Sequence, residues 1–258
     1  MSNRSALGRT LLLAVLTFVL AITAGDTTSV AGETRGSTAI VKAATTTDSG
    51  APGASKSWSF DHDRGYLMPG DWTAVSGNWK VLLDMHAPSL PNTLSLPGYG
   101  LPRTKAVMLW IDSFFSDTYL LAIPKDSTEY SDLSLQADIK PWGGAWGSYA
   151  GLVVRYTDPQ DYYVLAAACP KDYVALYRMS GGRLTLIKEA PAELERGRWY
   201  ALRLDARGDH FSAYLNGKQL FEAQDSGLAK GRIGVWSQND SRVSFDNVKV
   251  TAESAPGA

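Results

Sequence analysis

The sequence predicts an all-β domain, a two-sheet antiparallel sandwich, and three observations carry that prediction. Short strand-like runs of Val, Leu, Ile, Tyr and Trp recur along the chain with Gly, Asn, Asp or Pro between them. Gly181-Gly182 and Asn216-Gly217 each follow such a run, and these dipeptides suit the positive backbone angles of a tight hairpin. Beyond residue 57 no segment sustains a helical apolar period, and Ala192 to Gly197 has room for a single helical turn.

Taken in order, Trp58-Ser59-Phe60-Asp61 alternates large apolar with small polar side chains and reads as a first strand. Trp72 follows, and Gly77-Asn78-Trp79-Lys80-Val81 marks a second strand near Trp79. Asp84 to Arg103 carries Pro88, Pro91, Pro97 and Pro102 and reads as a long loop, a kind of segment that often serves function. Strand-like runs resume at 106–111, 119–123, 133–139, 150–156, 162–167, 174–178 and 184–187. They continue at 200–205, 211–215, 232–236 and 243–250.

A chain of 258 residues has room for one large β domain with appendages, and eight Trp and twelve Tyr can fill its core. Twenty-five basic against 26 acidic residues leave a formal charge of -1, so nothing points to nucleic acid or anionic lipid as a partner. Arg4 and Arg9 precede an apolar run from Leu11 to Ala24, and small-residue sites close at Ala24 and Ala31. That run is short of the roughly 20 residues a spanning helix needs. We read 1–31 as a signal peptide, which implies a secreted, periplasmic or extracellular mature form that does not span a membrane. Residues 32–56 read as a disordered Ser/Thr/Ala/Gly-rich spacer, 57–250 as the sandwich and 251–258 as a tail. The single cysteine, Cys169, reads as a small apolar filler.

The runs Tyr149–Leu165 and Gly231–Val250, with the order Tyr-Tyr-Val-Leu, Val-Ala-Leu-Tyr-Arg, Gly-Gly, Leu-Thr-Leu-Ile between them, resemble the concanavalin A-like (laminin-G-like) jelly-roll domains. Ala87-Pro88-Ser89-Leu90-Pro91-Asn92, Arg155-Tyr156-Thr157-Asp158 and Tyr162-Tyr163-Val164 narrow the likeness. They resemble secreted bacterial proteins near the 3-keto-disaccharide hydrolase domain group. The resemblance implies a concave sheet face suited to sugars. It also implies an Arg-Ala-Asn-Ala-Leu-Glu run after Tyr-Tyr-Val, where this chain has Leu165-Ala166-Ala167-Ala168-Cys169-Pro170, without the Arg, Asn or Glu.

Catalytic signals are sparse. Glycoside hydrolysis needs two carboxylates about 5–9.5 Å apart, and no Glu-x-Asp-x-x-Glu strand occurs. Glu193 and Glu195 sit in a polar turn, and His62, His86 and His210 have no metal-ligand spacing. A binding constellation remains. Trp142, Trp146 and Tyr149 flank glycines in one loop, and aromatic faces stack on the C–H faces of sugar rings. Alternation puts Arg155 on the strand face opposite Leu152 and Val154, and Trp236 opposite Val235. Arg155 and Trp236 are therefore expected on one outward face, with Gln238, Asn239 and Asp240 supplying polar contacts and Tyr163 and Tyr177 as neighbours. The resemblance adds a structural Ca2+ between first and last strands, for which Asp61, Asp63 and Asp246 are the candidates. The expected function is non-catalytic, lectin-like binding of a glycan or oligosaccharide. The alternatives are a glycan-processing hydrolase or lyase of the 3-keto-disaccharide kind, and an adhesion or structural domain that binds protein through the proline-rich loop.

Overall fold

A computed structural model describes residues 53–83, 105–110, 119–144 and 147–253. The expected signal peptide, most of the spacer, the proline-rich loop with His86, and Trp146 lie outside the described residues. Fifteen strands and no helix are found among those described. The first sheet runs in the order β13 (Lys218–Gln224), β12 (His210–Leu215), β11 (Tyr200–Arg207), β6 (Leu133–Gly143), β15 (Arg242–Ala252), β4 (Lys105–Trp110), β3 (Asn78–Leu83). Its eighth strand, β1 (Ser55–Trp58), pairs with Val248–Thr251 of β15. The second sheet, of seven strands, runs β10 (Arg183–Pro191), β9 (Tyr173–Ser180), β8 (Asp161–Cys169), β7 (Ser148–Asp158), β14 (Arg232–Gln238), β5 (Tyr119–Pro124), β2 (Trp72–Ala74). Every pairing is antiparallel, as the hairpin signals predict.

Alternation, shifted once at a bulge in β15, builds the core. Leu133, Leu135, Ala137 and Ile139 of β6 and Val243, Phe245, Val248 and Val250 of β15 face Leu152, Val154, Tyr163, Leu165, Leu176 and Val235 of the other sheet. The intervening residues of the eight-stranded sheet are mostly polar and turn outward. The seven-stranded sheet differs, because β7 and β8 are buried almost end to end. Its outward residues form a second apolar cluster that includes Leu121, Ile123, Tyr149, Val153, Tyr162, Val164, Met179 and Trp236. A sheet buried on both faces reads as a continuous apolar run rather than an alternating one, which is how 162–169 reads.

Three expectations shift. The first strand covers Ser55–Trp58 and stops before Phe60, whose φ of 60° turns it into the core against Trp72 at 5.8 Å. The sequence reading passed over β2 and β13, both sheet edges. In β13 only Phe221 is buried, so a polar strand leaves little alternation to detect. Ala192 to Gly197 forms no helix; it is irregular chain that buries Ala192 and Leu194 and ends in a turn at Arg196-Gly197. The pairing also takes in Ser55, Lys56, Thr251 and Ala252, at the expected margins of spacer and tail.

Candidate functional site

The outward face of the seven-stranded sheet is organised by register. Leu121, Trp236, Gly151, Ala166, Ala175 and Glu189 are successive cross-strand partners from β5 to β10. One flanking row holds Tyr149, Ala168 and Tyr173, and the other holds Val153, Val164 and Tyr177. Small side chains thus floor the middle of the face, and aromatic rings stand on both sides. Trp236 closes one end. Its indole lies over Gly151, where a Cβ would come within 3.0 Å of Trp236 Cε3 and 2.7 Å of Val164 Cγ2. Glycine at 151 is therefore what lets the indole lie down. Tyr119 stacks on Trp236 with centroids 5.8 Å apart, and Trp236 Nε1 donates to Tyr162 Oη at 3.3 Å.

The accessible part of this face is its edge at Lys171, Tyr173 and Tyr177, beside the buried Tyr149 ring. Lys171 is exposed with Nζ 5.2 Å from the Tyr149 ring, and Tyr177 Oη donates to Tyr173 Oη at 3.4 Å. The hydrogen bond with Tyr149 holds the Lys171 ammonium above its ordinary value. Burial pushes the Tyr162 and Tyr177 hydroxyls up, the latter aided by the Tyr173 hydroxyl, and burial also raises Tyr156. These hydroxyls stay protonated at neutral pH and both donate and accept. The carboxylates whose charge they feel, Asp158 beside Tyr156 and Glu189 beside Tyr177, are exposed at the margins.

The raised tyrosines carry a pH prediction. A folded-state value above the unfolded one means that unfolding releases the proton more readily. The stability these groups contribute is complete below the ordinary tyrosine value of 10.0 and is lost as pH rises through the higher folded values. Urea midpoints should therefore be flat from neutrality to about pH 9 and fall above about pH 10.

The residues singled out from sequence do not come together. Trp236 does face away from the inter-sheet core, as parity predicts, but it is only 1% exposed and packs within the second apolar cluster. Arg155 leaves that face. A bulge in the β7–β14 register and a φ of 52° turn it inward, so Arg155 lies on the core side and Tyr156 takes the outward position. Its guanidinium, 5.1 Å from the Phe211 ring, donates to Ser131 O (3.2 and 2.9 Å), Leu228 O (2.8 Å) and Gly208 O (2.6 Å). Gly231 makes room for this turn, since a Cβ there would meet the Arg155 backbone at 2.5 Å. Tyr163 also faces inward. Its hydroxyl donates to Asp225 Oδ1 at 2.5 Å and accepts from Leu228 N at 3.1 Å, while Arg178 Nη1 bonds both Asp225 oxygens. Arg155 and Tyr163 together tie down the chain between β13 and β14.

Trp142 lies on the opposite, outward face of the eight-stranded sheet, its Nε1 bonded to Ser244 Oγ at 2.6 Å. Gln238, Asn239 and Asp240 form the turn from β14 to β15, with Ser241 Oγ closing on Gln238 O at 2.5 Å. Gly144 packs close to Asp240 there. Trp146 is outside the described residues. Asp63 Oδ1 accepts from Gly70 N and Asp246 Oδ1 from Asn247 N. Among the described residues, no three His, Cys, Asp or Glu side chains gather closely enough to hold a metal ion, Asp61, Asp63 and Asp246 included. Sequence reasoning missed Tyr173, Tyr162 and Tyr119 as sharing one sheet face, with Lys171 at its edge. The available signal was parity: 173, 175 and 177 alternate together, as do 162, 164, 166 and 168.

The sequence pattern of the 3-keto-alpha-glucoside-1,2-lyase-like domain family matches residues 123–251, half of the chain. The chain belongs to this family. The match begins in β5 and ends in β15, so it spans the strands of the tyrosine-rimmed face as well as the centre of the opposite sheet. Levanase from Bacillus subtilis (strain 168) is 27% identical over 135 residues, 51% of this chain. The chain spans only 19% of that levanase's length. Among solved structures, the carbohydrate-binding module CBM66 from Bacillus subtilis superposes with a TM-score of 0.52 at 22% identity, covering 69% of this chain and 94% of the module. That likeness establishes a shared jelly-roll sandwich. Membership of the lyase-like family thus agrees with the fold and the group that the sequence pattern resembles.

Proposed function

We propose that this is a secreted, non-catalytic carbohydrate-binding domain that holds an oligosaccharide on the outward face of its seven-stranded sheet. One observation carries the reading. Lys171, Tyr173 and Tyr177 stand at the edge of this face, beside the buried Tyr149 ring and the small residues Ala166, Ala168 and Ala175. Rings at such a rim stack on sugar C–H faces, and hydroxyls and an ammonium beside them hydrogen-bond to the edges. The proton-transfer pair that glycoside hydrolysis requires is not supplied by this rim. The family and the levanase relative support a sugar ligand, and a levan-type fructan is the first glycan to try.

A second reading, sugar processing of the lyase-like kind, is favoured by family membership, but fold and family are weak warrant for an activity. Titration calorimetry with levan oligosaccharides and a panel of neutral glycans separates the two. The double substitution Tyr173→Phe/Tyr177→Phe keeps the rings and removes the hydroxyls. It is expected to weaken binding about tenfold with little change in melting temperature. Unchanged affinity would move the site elsewhere, and release of a cleaved or eliminated sugar from the bound glycan would establish the second reading.

A further inference from the structure

The other outward face carries a second constellation. Trp142 is a large apolar side chain left 41% exposed at the end of β6. It is held rather than loose. Its Nε1 is committed to Ser244 Oγ, and the Lys140 ammonium sits 3.8 Å from the ring centroid and 4.8 Å from that of Trp199. Lys140 itself is 1% exposed. With one ring face against a buried cation and the N–H engaged, the exposed area is chiefly the remaining ring face. The rotamer entropy of that platform is already spent before any ligand arrives.

The surface around the platform is rich in arginine. Arg196 is exposed, and its Nη2 donates to Gly144 O at 3.3 Å, two residues beyond Trp142. Arg242 is exposed and is the cross-strand partner of Gly143. Arg198 is exposed but faces Glu195 at 3.4 Å. Of the acids on this side, Glu195 is exposed but engaged by Arg198, Asp240 is 4% exposed behind Gly144, and Asp138, half-buried, accepts from Asn247 Nδ2 at 2.8 Å.

We propose that Trp142, Arg196 and Arg242 form a second saccharide site, selective for acidic sugars such as uronates. A neutral sugar stacks through C–H groups on the electron-rich face of an indole. The Lys140 cation beneath Trp142 draws on that same ring density, so the platform is poorer for a neutral ring and better for one that carries a carboxylate. Two exposed arginines, Arg196 bonded to Gly144 O and Arg242 paired across the strands with Gly143, supply guanidinium groups that match a carboxylate in geometry as well as charge. The site is independent of the Tyr173–Tyr177 face, which belongs to the other sheet.

The test is titration of the full chain with tetragalacturonic acid and with a neutral galactose tetrasaccharide. The acidic ligand is expected to bind and the neutral one to bind at least about tenfold more weakly at this face. Raising the salt from about 0.05 to 0.5 M should weaken only the acidic complex. Arg196→Gln and Arg242→Gln, both at exposed positions, should each cost about tenfold in affinity for tetragalacturonate. Trp142→Phe, which keeps a ring over Lys140, should weaken it less than Trp142→Ala. Absence of tetragalacturonate binding, or binding that both arginine variants leave unchanged, overturns the proposal. So does binding that only the Tyr173→Phe/Tyr177→Phe protein loses, which would place the acidic ligand on the other face and leave the proposed function standing.

Discussion

Replacing Arg155 with alanine should lower the free energy of unfolding by about 3–5 kcal/mol, among the largest effects of any single substitution in this protein. The guanidinium is 1% exposed and serves the carbonyls of Ser131, Leu228 and Gly208 at once. Burial pulls its pKa down, so holding it charged has a cost that those acceptors offset. Removing it takes the donor from part-buried carbonyls on three separate connections and leaves a space beside Phe211. Lysine should rescue little, because a single ammonium cannot reach three acceptors spread around a planar fork. Urea unfolding followed by tryptophan fluorescence measures the loss. A variant within about 1 kcal/mol of the wild type would show that the three carbonyls find water instead.

Trp236→Ala comes next. The indole is 1% exposed, stacked under Tyr119 and seated on Gly151, so its deletion opens a large cavity in the second apolar layer and should cost about 3–5 kcal/mol. Loss of glycan binding in that variant would then report unfolding rather than a missing contact. Trp236→Phe should recover part of the stability, without the hydrogen bond to Tyr162. A stable Trp236→Ala protein that no longer binds sugar would reverse this assignment and return Trp236 to the ligand.

The two residues show where sequence stops being legible. Parity correctly turned Trp236 away from Val235 and Ile233, because side-chain direction in a regular strand follows from backbone geometry alone. It could not tell that a second apolar layer would bury the outward face. Parity failed at Arg155, since one left-handed residue in a bulge exchanges every outward and inward position beyond it. Nothing in Val154-Arg155-Tyr156 announces that bulge; it depends on Gly231, seventy-six positions away, allowing close approach. Trp142, from the aromatic and glycine-rich loop, and Trp236, from strand parity, both belong to the binding constellation read from sequence, yet they stand on opposite faces of the sandwich.

By itself the sequence determined the fold class, the antiparallel strand order around the two hairpin signals, most strand positions and the lack of long helices among the described residues. Those are consequences of local alternation and turn chemistry, which act over a few residues. Tertiary structure alone decided which outward side chains share a surface. The row from Trp236 through Gly151, Ala166 and Ala175 to Glu189 draws on four strands besides β14, and the platform at Trp142 joins β6, the chain before β11 and the start of β15. Such juxtapositions depend on pairing register between segments distant in the chain, and register is set by the packing of the whole sandwich rather than by any stretch within it.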